Sequence, residues 1–279
     1  MNIAWFMYYG NYSEDDMFDV CIRSLKKQSD CKIVVYTPDV EQSQVDKSLL
    51  EKRGVEIVEF PNEDLDDRRV VCKIEKVYEL MTNSNKGDNI MCFDADLFFL
   101  KDPFDLFKEF KEEKFDFFYT TRQYPCWAQA NAGVWGFTIN VASEKFMQFY
   151  IDEINNPSWK QYIDFRISHP SNSDLSEKDW WVDQDFLCTC NRHKDEINNG
   201  MLEFDIKIID ATSKYNYIVI PYITDAQLTD LLTTDKDIHI LHLKGIGGAE
   251  LGKSRWADGG LNTIKDTLNE RMVTLLEKY

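Results

Sequence analysis

The sequence predicts an α/β protein with a mixed, mainly parallel sheet flanked by helices, and two observations predict that class. Short apolar runs alternate with segments of helical periodicity along the first third of the chain. This order builds a parallel sheet with helices on its faces. The 279 residues are 43% hydrophobic and 14% aromatic, which is enough apolar material for the core of such a sheet.

In the first half, each predicted strand is a short apolar run, and each predicted helix has apolar residues three and four positions apart. The strands are expected at residues 2–9, 32–36, 55–60 and 89–93. The helices are expected at residues 15–28, 44–53 and 69–82, and the second of them stops at Gly54.

The second half of the chain is a mixture of strands and helices. It predicts helices at residues 103–110, 142–154, 183–190 and 263–278, and strands at 116–121, 133–139, 204–209, 217–220 and 238–243. Residues 158–177 are polar and aromatic and are expected to form a long surface loop. No internal repeat, low-complexity tract or linker interrupts the sequence, so residues 1–279 are predicted to form a single domain.

The net charge of −17 limits the partners of the protein. A protein with this much negative charge repels nucleic acid and anionic membranes. Any phosphate group that it binds therefore needs a metal ion or a few basic side chains at the binding site. No uncharged apolar run reaches the roughly 18 to 20 residues that span a bilayer, and the apolar start of the chain lacks the features of a signal peptide. We therefore expect a cytoplasmic protein with no integral membrane segment.

The cysteine pattern points the same way. The chain has seven cysteines, without a regular spacing and without a CxxC pair. This pattern favours reduced thiols over disulfides, and it gives no zinc-finger spacing.

The most informative motif is Asp94-Ala95-Asp96, directly after the predicted strand 89–93. Ligands of parallel sheets bind beyond the carboxyl ends of the strands. Residues i and i+2 of an extended chain point the same way, and two adjacent carboxylates repel each other unless a cation lies between them. Hard oxygen ligands favour Mg²⁺ or Mn²⁺, either of which can grip a diphosphate. The alternative is a pair of acids that cap the following turn.

Several segments resemble, in order, those of the GT-A glycosyltransferases and, among them, glycosyltransferase family 8. They are Lys73 on the helix before the acids, the DxD motif Asp94-Ala95-Asp96, Asn131-Ala132-Gly133-Val134, Asp183-Gln184-Asp185, His242-Leu243-Lys244-Gly245 and Lys253-Ser254-Arg255-Trp256. The resemblance lies in their order over about residues 1–256. The first strand departs from the family pattern because it lacks a TD pair, and Ser254-Arg255 replaces the proline of the family's KPW segment.

The resemblance implies a GT-A, Rossmann-like fold and a metal-dependent hexosyltransferase. The donor would be a nucleoside-diphosphate sugar, with UDP-sugar favoured and GDP-sugar possible. The acceptor would be a hydroxyl of a saccharide or another compound, and the reaction would retain configuration. Residues 1–96 would form the nucleotide-binding half, and residues 97–279 would complete the acceptor and metal sites.

The resemblance also implies roles for individual residues. Asp94, Asp96 and His242 would hold Mn²⁺ or Mg²⁺. The implied catalytic residues, near the reactive carbon of the sugar, are Asp183, Gln184 and Asp185. The implied substrate-binding residues are Tyr8, Tyr9, Lys73, Asn131, Ala132, Gly133, Gly245 and Lys253.

The residues by themselves leave alternatives open for each of these roles. His242 is equally typical of a core histidine, and Lys73 of a solvated helix position. Asn131 suits a turn, and Asp183 suits a helix N-cap. Asp183 or Asp185 would also serve as a base in an inverting reaction.

Three other functions compete with the transferase. Residues 247–254 (GGAELGKS) match the phosphate-binding P-loop pattern, but poor helix-forming residues follow them. A phosphatase of the haloacid dehalogenase type also places DxD after a strand, normally an early one. A non-catalytic sugar-binding module would use the aromatic residues Trp127, Trp135, Trp180 and Trp181. Within the transferase hypothesis, Trp159, Trp180 and Trp181 are candidates for an apolar acceptor platform.

Overall fold

The structure is a computed structural model that describes residues 1–8, 17–38, 47–61, 69–121, 129–168, 182–218 and 237–242. The described strands are β1 (Asn2–Met7), β2 (Lys32–Pro38), β3 (Glu56–Phe60), β4 (Asn89–Phe93), β5 (Leu97–Phe99), β6 (Phe117–Thr121), β7 (Ala130–Thr138), β8 (Ile208–Ala211), β9 (Tyr217–Ile218) and β10 (Ile240–His242). The described helices are α1 (Met17–Gln28), α2 (Lys47–Lys52), α3 (Arg69–Thr82), α4 (Asp105–Glu109), α5 (Val141–Asn155), α6 (Lys160–Ser168), α7 (Val182–Arg192) and α8 (Lys194–Asn198).

Seven of these strands form the main sheet in the order β3-β2-β1-β4-β7-β6-β8. Strands β1 to β4 run parallel to one another, β7 runs antiparallel to both β4 and β6, and β8 is parallel to β6. The prediction of a mixed, mainly parallel sheet is therefore confirmed. Because β7 is reversed, its first residues lie at the edge where β1, β4 and β6 end.

Two apolar clusters cover the two faces of this sheet. Alternate strand residues such as Trp5 and Val34 pack with α3, α5 and α7 on one face. The residues between them, such as Phe6 and Val35, pack with α1, α2 and α4 on the other. The strands are nearly continuous in hydrophobicity because both of their faces are buried.

A second, three-stranded sheet lies beside the main one in the order β5-β10-β9. Its central strand places His242 opposite Leu97 of β5, in an antiparallel pair, and opposite Ile218 of β9, in a parallel pair. Strand β5 is tied to α1 by the backbone N–H of Phe99, which donates to Ser24 Oγ at 3.1 Å. This small sheet brings the end of the described chain next to Asp96.

Several local predictions were wrong. Part of the loop expected at residues 158–177 is helix α6, which buries Tyr162 and Phe165 one turn apart. Trp159, predicted to lie in a surface loop, packs against Phe149 and Phe186 inside the core, whereas Trp180 and Trp181 of the predicted acceptor platform lie outside the described residues. The strand expected at 204–209 begins only at Ile208, and β5 and α8 were not predicted.

Other expectations concern thiols, membranes and segments outside the described residues. The cysteines among the described residues are free thiols. None of the described helices has both the length and the apolar character needed to cross a bilayer. The helix expected at 263–278 and the P-loop-like segment 247–254 lie outside the described residues.

Helix α7 carries the Asp183-Gln184-Asp185 segment, and aromatic side chains fix its position. The ring of Phe186 stacks on Tyr150 of α5, with centroids 4.0 Å apart and an interplanar angle of 10°. Tyr150 donates its hydroxyl hydrogen to the backbone oxygen of Asp183 at 2.9 Å. Tyr162 of α6 donates to the backbone oxygen of Val182 at 3.2 Å. The first turn of α7 is therefore held by packing and by two buried hydrogen bonds.

Truncation of the stacked ring tests this anchoring. We expect Phe186→Ala to lower the free energy of unfolding by about 3 to 5 kcal/mol, because it leaves a cavity among five aromatic rings. Phe186→Leu keeps most of the side-chain volume, and we expect it to lower the free energy of unfolding by less than half as much as Phe186→Ala does. Urea unfolding of both variants measures the difference, and equal losses would contradict the packing argument.

Candidate metal and substrate site

The two carboxylates of the DxD motif lie at the carboxyl edge of the main sheet. Strand β4 ends at Phe93, and the backbone N–H of Asp94 donates to the oxygen of Gly133 on β7 at 2.9 Å. Asp96 comes directly before β5. The side chains of Asp94 and Asp96 are each 27% exposed, so they face a partly open site.

His242 completes a cluster with the two acids. Its Nε2 lies 3.1 Å from Asp96 Oδ1 and 3.8 Å from Asp94 Oδ2, although the side chain itself is fully buried. The approach to Asp96 lacks hydrogen-bond geometry, so Nε2 is a buried polar atom without a hydrogen-bond partner among the described residues. A buried polar atom in that condition is costly unless a further group satisfies it. His242 is thus buried in a strand, as a core histidine would be, but the described residues satisfy only one of its two ring nitrogens.

The cluster fits a divalent cation. One possible donor atom from each of Asp94, Asp96 and His242 lies within 4.8 Å of the others. Adjacent ligands of an octahedral ion with bonds of roughly 2.1 Å are about 3 Å apart, so only small side-chain movements are needed. Two carboxylates and an imidazole form a ligand set that suits Mn²⁺ and also accommodates Mg²⁺.

Gly133 makes room for this cluster. A Cβ at this position would overlap His242 Cε1 and would lie 2.7 Å from Asn131 Oδ1 and 2.9 Å from Asp94 Oδ2. The close approach of the β7 backbone to the acids therefore requires a residue without a side chain. The sequence identified Gly133 only through its family resemblance.

Lys73 projects from α3 into the site. Its Nζ donates to Asp94 Oδ1 at 3.0 Å and to the backbone oxygen of Ala132 at 3.2 Å, and it lies 3.9 Å from Asp183 Oδ2. Burial lowers the pKa of Lys73, but the attraction of Asp94 and Asp183 outweighs it, so that the pKa lies above its ordinary value. The lysine is therefore a positive charge that connects the DxD motif to α7, not a solvated surface residue.

Asn131 lies on β7 and is fully buried, so the interpretation as a turn residue is wrong. Its Oδ1 accepts hydrogen bonds from the backbone N–H of Gly133 at 2.8 Å and from Asn216 Nδ2 at 3.0 Å. Its own Nδ2 has no hydrogen-bond partner among the described residues. The NH₂ group of Asn131, which lies beside the acidic cluster, therefore makes no hydrogen bond with the described residues.

The segment 183–185 is buried at the start of α7. Asp183 Oδ1 accepts from the backbone N–H of Gln184 at 2.7 Å, and the residue lies within the helix, not before it as an N-cap would. Gln184 Nε2 is buried without a hydrogen-bond partner among the described residues. Asp185 Oδ2 lies 4.0 Å from Arg166 Nε of α6. Burial raises the pKa of Asp185 to about 7, against the attraction of Arg166 and with a smaller rise from Asp183.

The remaining candidates fall at the end of β1 or outside the described residues. Tyr8 follows β1, its backbone N–H donates to Tyr36 O at 2.9 Å, and its ring stacks on Phe18 with centroids 4.3 Å apart. It therefore lies at the same edge of the sheet as Asp94. Tyr9, Gly245 and Lys253 lie outside the described residues.

Sequence reasoning missed three residues that support the site. Asn216 and Thr120 are fully buried and are hydrogen-bonded to each other, and Asn216 also contacts His242. Arg166 faces Asp185 from a helix that was expected to be a loop. The patterns around these three residues gave no signal, because each contact joins segments that are distant in sequence.

No protein-family model matches the sequence, and no curated protein matches it. Among solved structures, mouse xyloside xylosyltransferase 1 in its apo form is similar, with a TM-score of 0.52 and 12% identity over 88% of this chain and 99% of that one. The galactosyltransferase LgtC, in complex with donor and acceptor sugar analogues, has a TM-score of 0.52 and 13% identity over 98% and 96% of the two chains. An active-site variant of LgtC gives a TM-score of 0.51 at 13% identity.

The chain has the GT-A fold. The predicted fold class is thereby confirmed, and the similarity extends over nearly the whole of both LgtC and the mouse enzyme. Asp94 follows the fourth strand along the chain, which is late for the nucleophile of a haloacid dehalogenase phosphatase.

The pKa of Asp185 gives a pH dependence with a definite sign. The folded-state value of about 7 lies above the ordinary value of 3.8. The folded protein therefore keeps a proton that the unfolded chain releases, and this contribution to stability, complete below pH 3.8, is lost as pH rises to about 7. Relative to Asp185→Asn, we expect the unaltered protein to lose about 2 to 3 kcal/mol between pH 5 and pH 8.

Urea unfolding of both proteins at several pH values measures this loss. Asp164→Asn, at an exposed position of α6, is the control and should leave the pH profile unchanged. Parallel profiles for the unaltered protein and Asp185→Asn would contradict the assignment.

Proposed function

We propose that this protein is a metal-dependent glycosyltransferase that moves a hexose from a UDP-sugar to a hydroxyl group of a saccharide or another acceptor. The observation that carries the proposal is the buried Nε2 of His242, which meets Asp94 and Asp96 at the ligand-binding edge of a GT-A sheet. The choice of a hexose donor rests on the resemblance to family 8 and agrees with the name of LgtC, a galactosyltransferase. The preference for UDP over GDP rests on the resemblance to family 8.

Asp94, Asp96 and His242 would hold Mn²⁺ or Mg²⁺. The bound ion would supply positive charge that binds the diphosphate and stabilises it as a leaving group. Such a local cation is needed because the whole protein carries a net charge of −17 and repels free phosphate groups. Both carboxylates are partly exposed to solvent, so a ligand can reach them.

Lys73 orients the cluster from within the protein. Its ammonium group holds one oxygen of Asp94, which leaves the other oxygen on the side of His242. The same ammonium group lies near Asp183, so Lys73 links the proposed metal site to the start of α7. Its charge also adds to the positive potential that attracts a nucleoside diphosphate.

The buried amides of Asn131 and Gln184 suit a sugar. Each has an NH₂ group without a hydrogen-bond partner among the described residues, and a sugar hydroxyl offers the acceptor that each one lacks. A pocket built to hydrogen-bond hydroxyl groups discriminates strongly against ligands without them. We therefore assign both residues to the donor sugar.

Asp183 is the carboxylate we place nearest the reacting carbon. Its contacts with the backbone N–H of Gln184 and with Lys73 favour a negative charge, which stabilises positive charge that develops at an anomeric centre. This role agrees with retention of configuration, as the resemblance implies. Asp185 faces Arg166 and is assigned to positioning of α7, not to proton abstraction.

Metal-dependent nucleotide binding tests the metal ligands. We expect UDP to bind in the presence of Mn²⁺, and we expect Asp96→Asn to weaken this binding at least 100-fold, because the neutral amide loses the charge that holds the ion. Isothermal titration with and without Mn²⁺ measures the affinity for UDP. Asp164→Asn, at an exposed position, is the matched control. Equal affinity in the Asp96 variant would reject the metal assignment.

Turnover of a panel of UDP- and GDP-sugars separates a transferase from a sugar-binding module. We expect UDP release from a UDP-hexose, and a product that retains the anomeric configuration by NMR. Asp183→Asn should lower kcat by about 10² to 10⁴, with nucleotide affinity changed only slightly, because the carboxylate acts at the sugar and not at the diphosphate. Binding of a donor without turnover, at any acceptor concentration, would favour the non-catalytic alternative.

A further inference from the structure

We propose that Asn216 is a positioning residue that holds His242 in the tautomer with the proton on Nδ1, so that the lone pair of Nε2 faces Asp94 and Asp96. This inference rests on the proposed metal site and names the residue that prepares it. Asn216 is fully buried and lies directly before β9, which pairs with the strand of His242. Its Oδ1 lies 2.7 Å from His242 Nδ1.

The direction of this hydrogen bond is set by the backbone of β7. The N–H of Gly133 can only donate, and it lies 2.8 Å from Asn131 Oδ1. The oxygen of the Asn131 amide is therefore fixed on that side, since a flipped amide would place two donors against each other. The same oxygen lies 3.0 Å from the Asn216 amide, so the group that Asn216 presents to it is the NH₂.

Thr120 imposes the same orientation independently. Its hydroxyl donates to the backbone oxygen of Val134 at 2.8 Å, so toward Asn216 the hydroxyl oxygen is an acceptor. Asn216 Nδ2 lies 2.6 Å from it. Both hydrogens of the Asn216 amide are thus used, one on Thr120 and one on Asn131, and its oxygen faces His242.

An amide oxygen can only accept, so His242 Nδ1 must carry a hydrogen. A neutral imidazole has a single N–H, and its other nitrogen then carries a lone pair. That nitrogen is Nε2, the buried atom without a hydrogen-bond partner among the described residues. The opposite tautomer would place two lone pairs 2.7 Å apart at Nδ1 and a hydrogen where a metal ion would bind. A partner on the far ring nitrogen is the usual means by which proteins orient a histidine ligand.

Tautomer analysis by ¹⁵N NMR tests the proposal without metal. In the metal-free full chain, at about pH 8.5, we expect a pyrrole-type resonance for Nδ1 of His242 and a pyridine-type resonance for Nε2. His242→Gln, which removes the signal, gives the assignment. In Asn216→Leu the population should move toward the Nε2–H tautomer. A pyrrole-type Nε2 in the unaltered protein would overturn the proposal.

Mn²⁺ affinity, measured by titration of the metal alone, gives the second readout. We expect Asn216→Leu to weaken Mn²⁺ binding about 10- to 100-fold. Thr120→Val is the matched control in the same buried network, because Asn131 still orients the Asn216 amide, and we expect a change of less than about threefold. Equal losses in both variants would assign the effect to packing and would overturn the proposal. Failure of the unaltered protein to bind Mn²⁺ would reject the proposed function, whereas the tautomer measurement would still decide the role of Asn216.

Discussion

The reversed strand β7 is the constraint on which the site depends. It runs antiparallel between β4 and β6, and the hydrogen bond from Asp94 N–H to Gly133 O joins its backbone to the DxD motif. Only a residue without a Cβ permits this approach, because the space is filled by His242, Asn131 and Asp94. The same strand carries the amide that orients Asn216. The pairing of β7 with β4 therefore sets both the space beside the two acids and the direction of the hydrogen bonds around Asn131.

The sequence predicted what is local. Strand β4 and the two acids after it lie within eight residues, so the apolar run and the edge position of Asp94 could be predicted together. His242 could be placed beside them only through the order of motifs, since its position depends on the pairing of β10 with β5, a three-residue strand that the pattern did not indicate. Asn216, Thr120 and Arg166 act through contacts between segments that are distant in sequence. Periodicity does not report such contacts, and composition does not either.

Charge is organised locally in a strongly acidic molecule. The ammonium group of Lys73 lies near the carboxylates of Asp94 and Asp183, and Asp96 adds a third carboxylate to the cluster, so negative charge exceeds positive charge among the described residues of the site. Neighbouring buried amides add donors without adding charge. In the proposed function, such a site would bind a cation first, and the diphosphate would then bind to the protein and cation together.

The late position of His242 in the chain has a consequence for biogenesis. A nascent polypeptide that has emerged only as far as β7 already holds both acids and the glycine beside them, but β5 still lacks the strand with which it pairs and the acids lack the imidazole. At the proposed metal site, an ion would gain its third ligand only after β10 has docked. An ion bound there would link β10 of the small sheet to the end of β4 in the main sheet, and it would stabilise the docked position of β10.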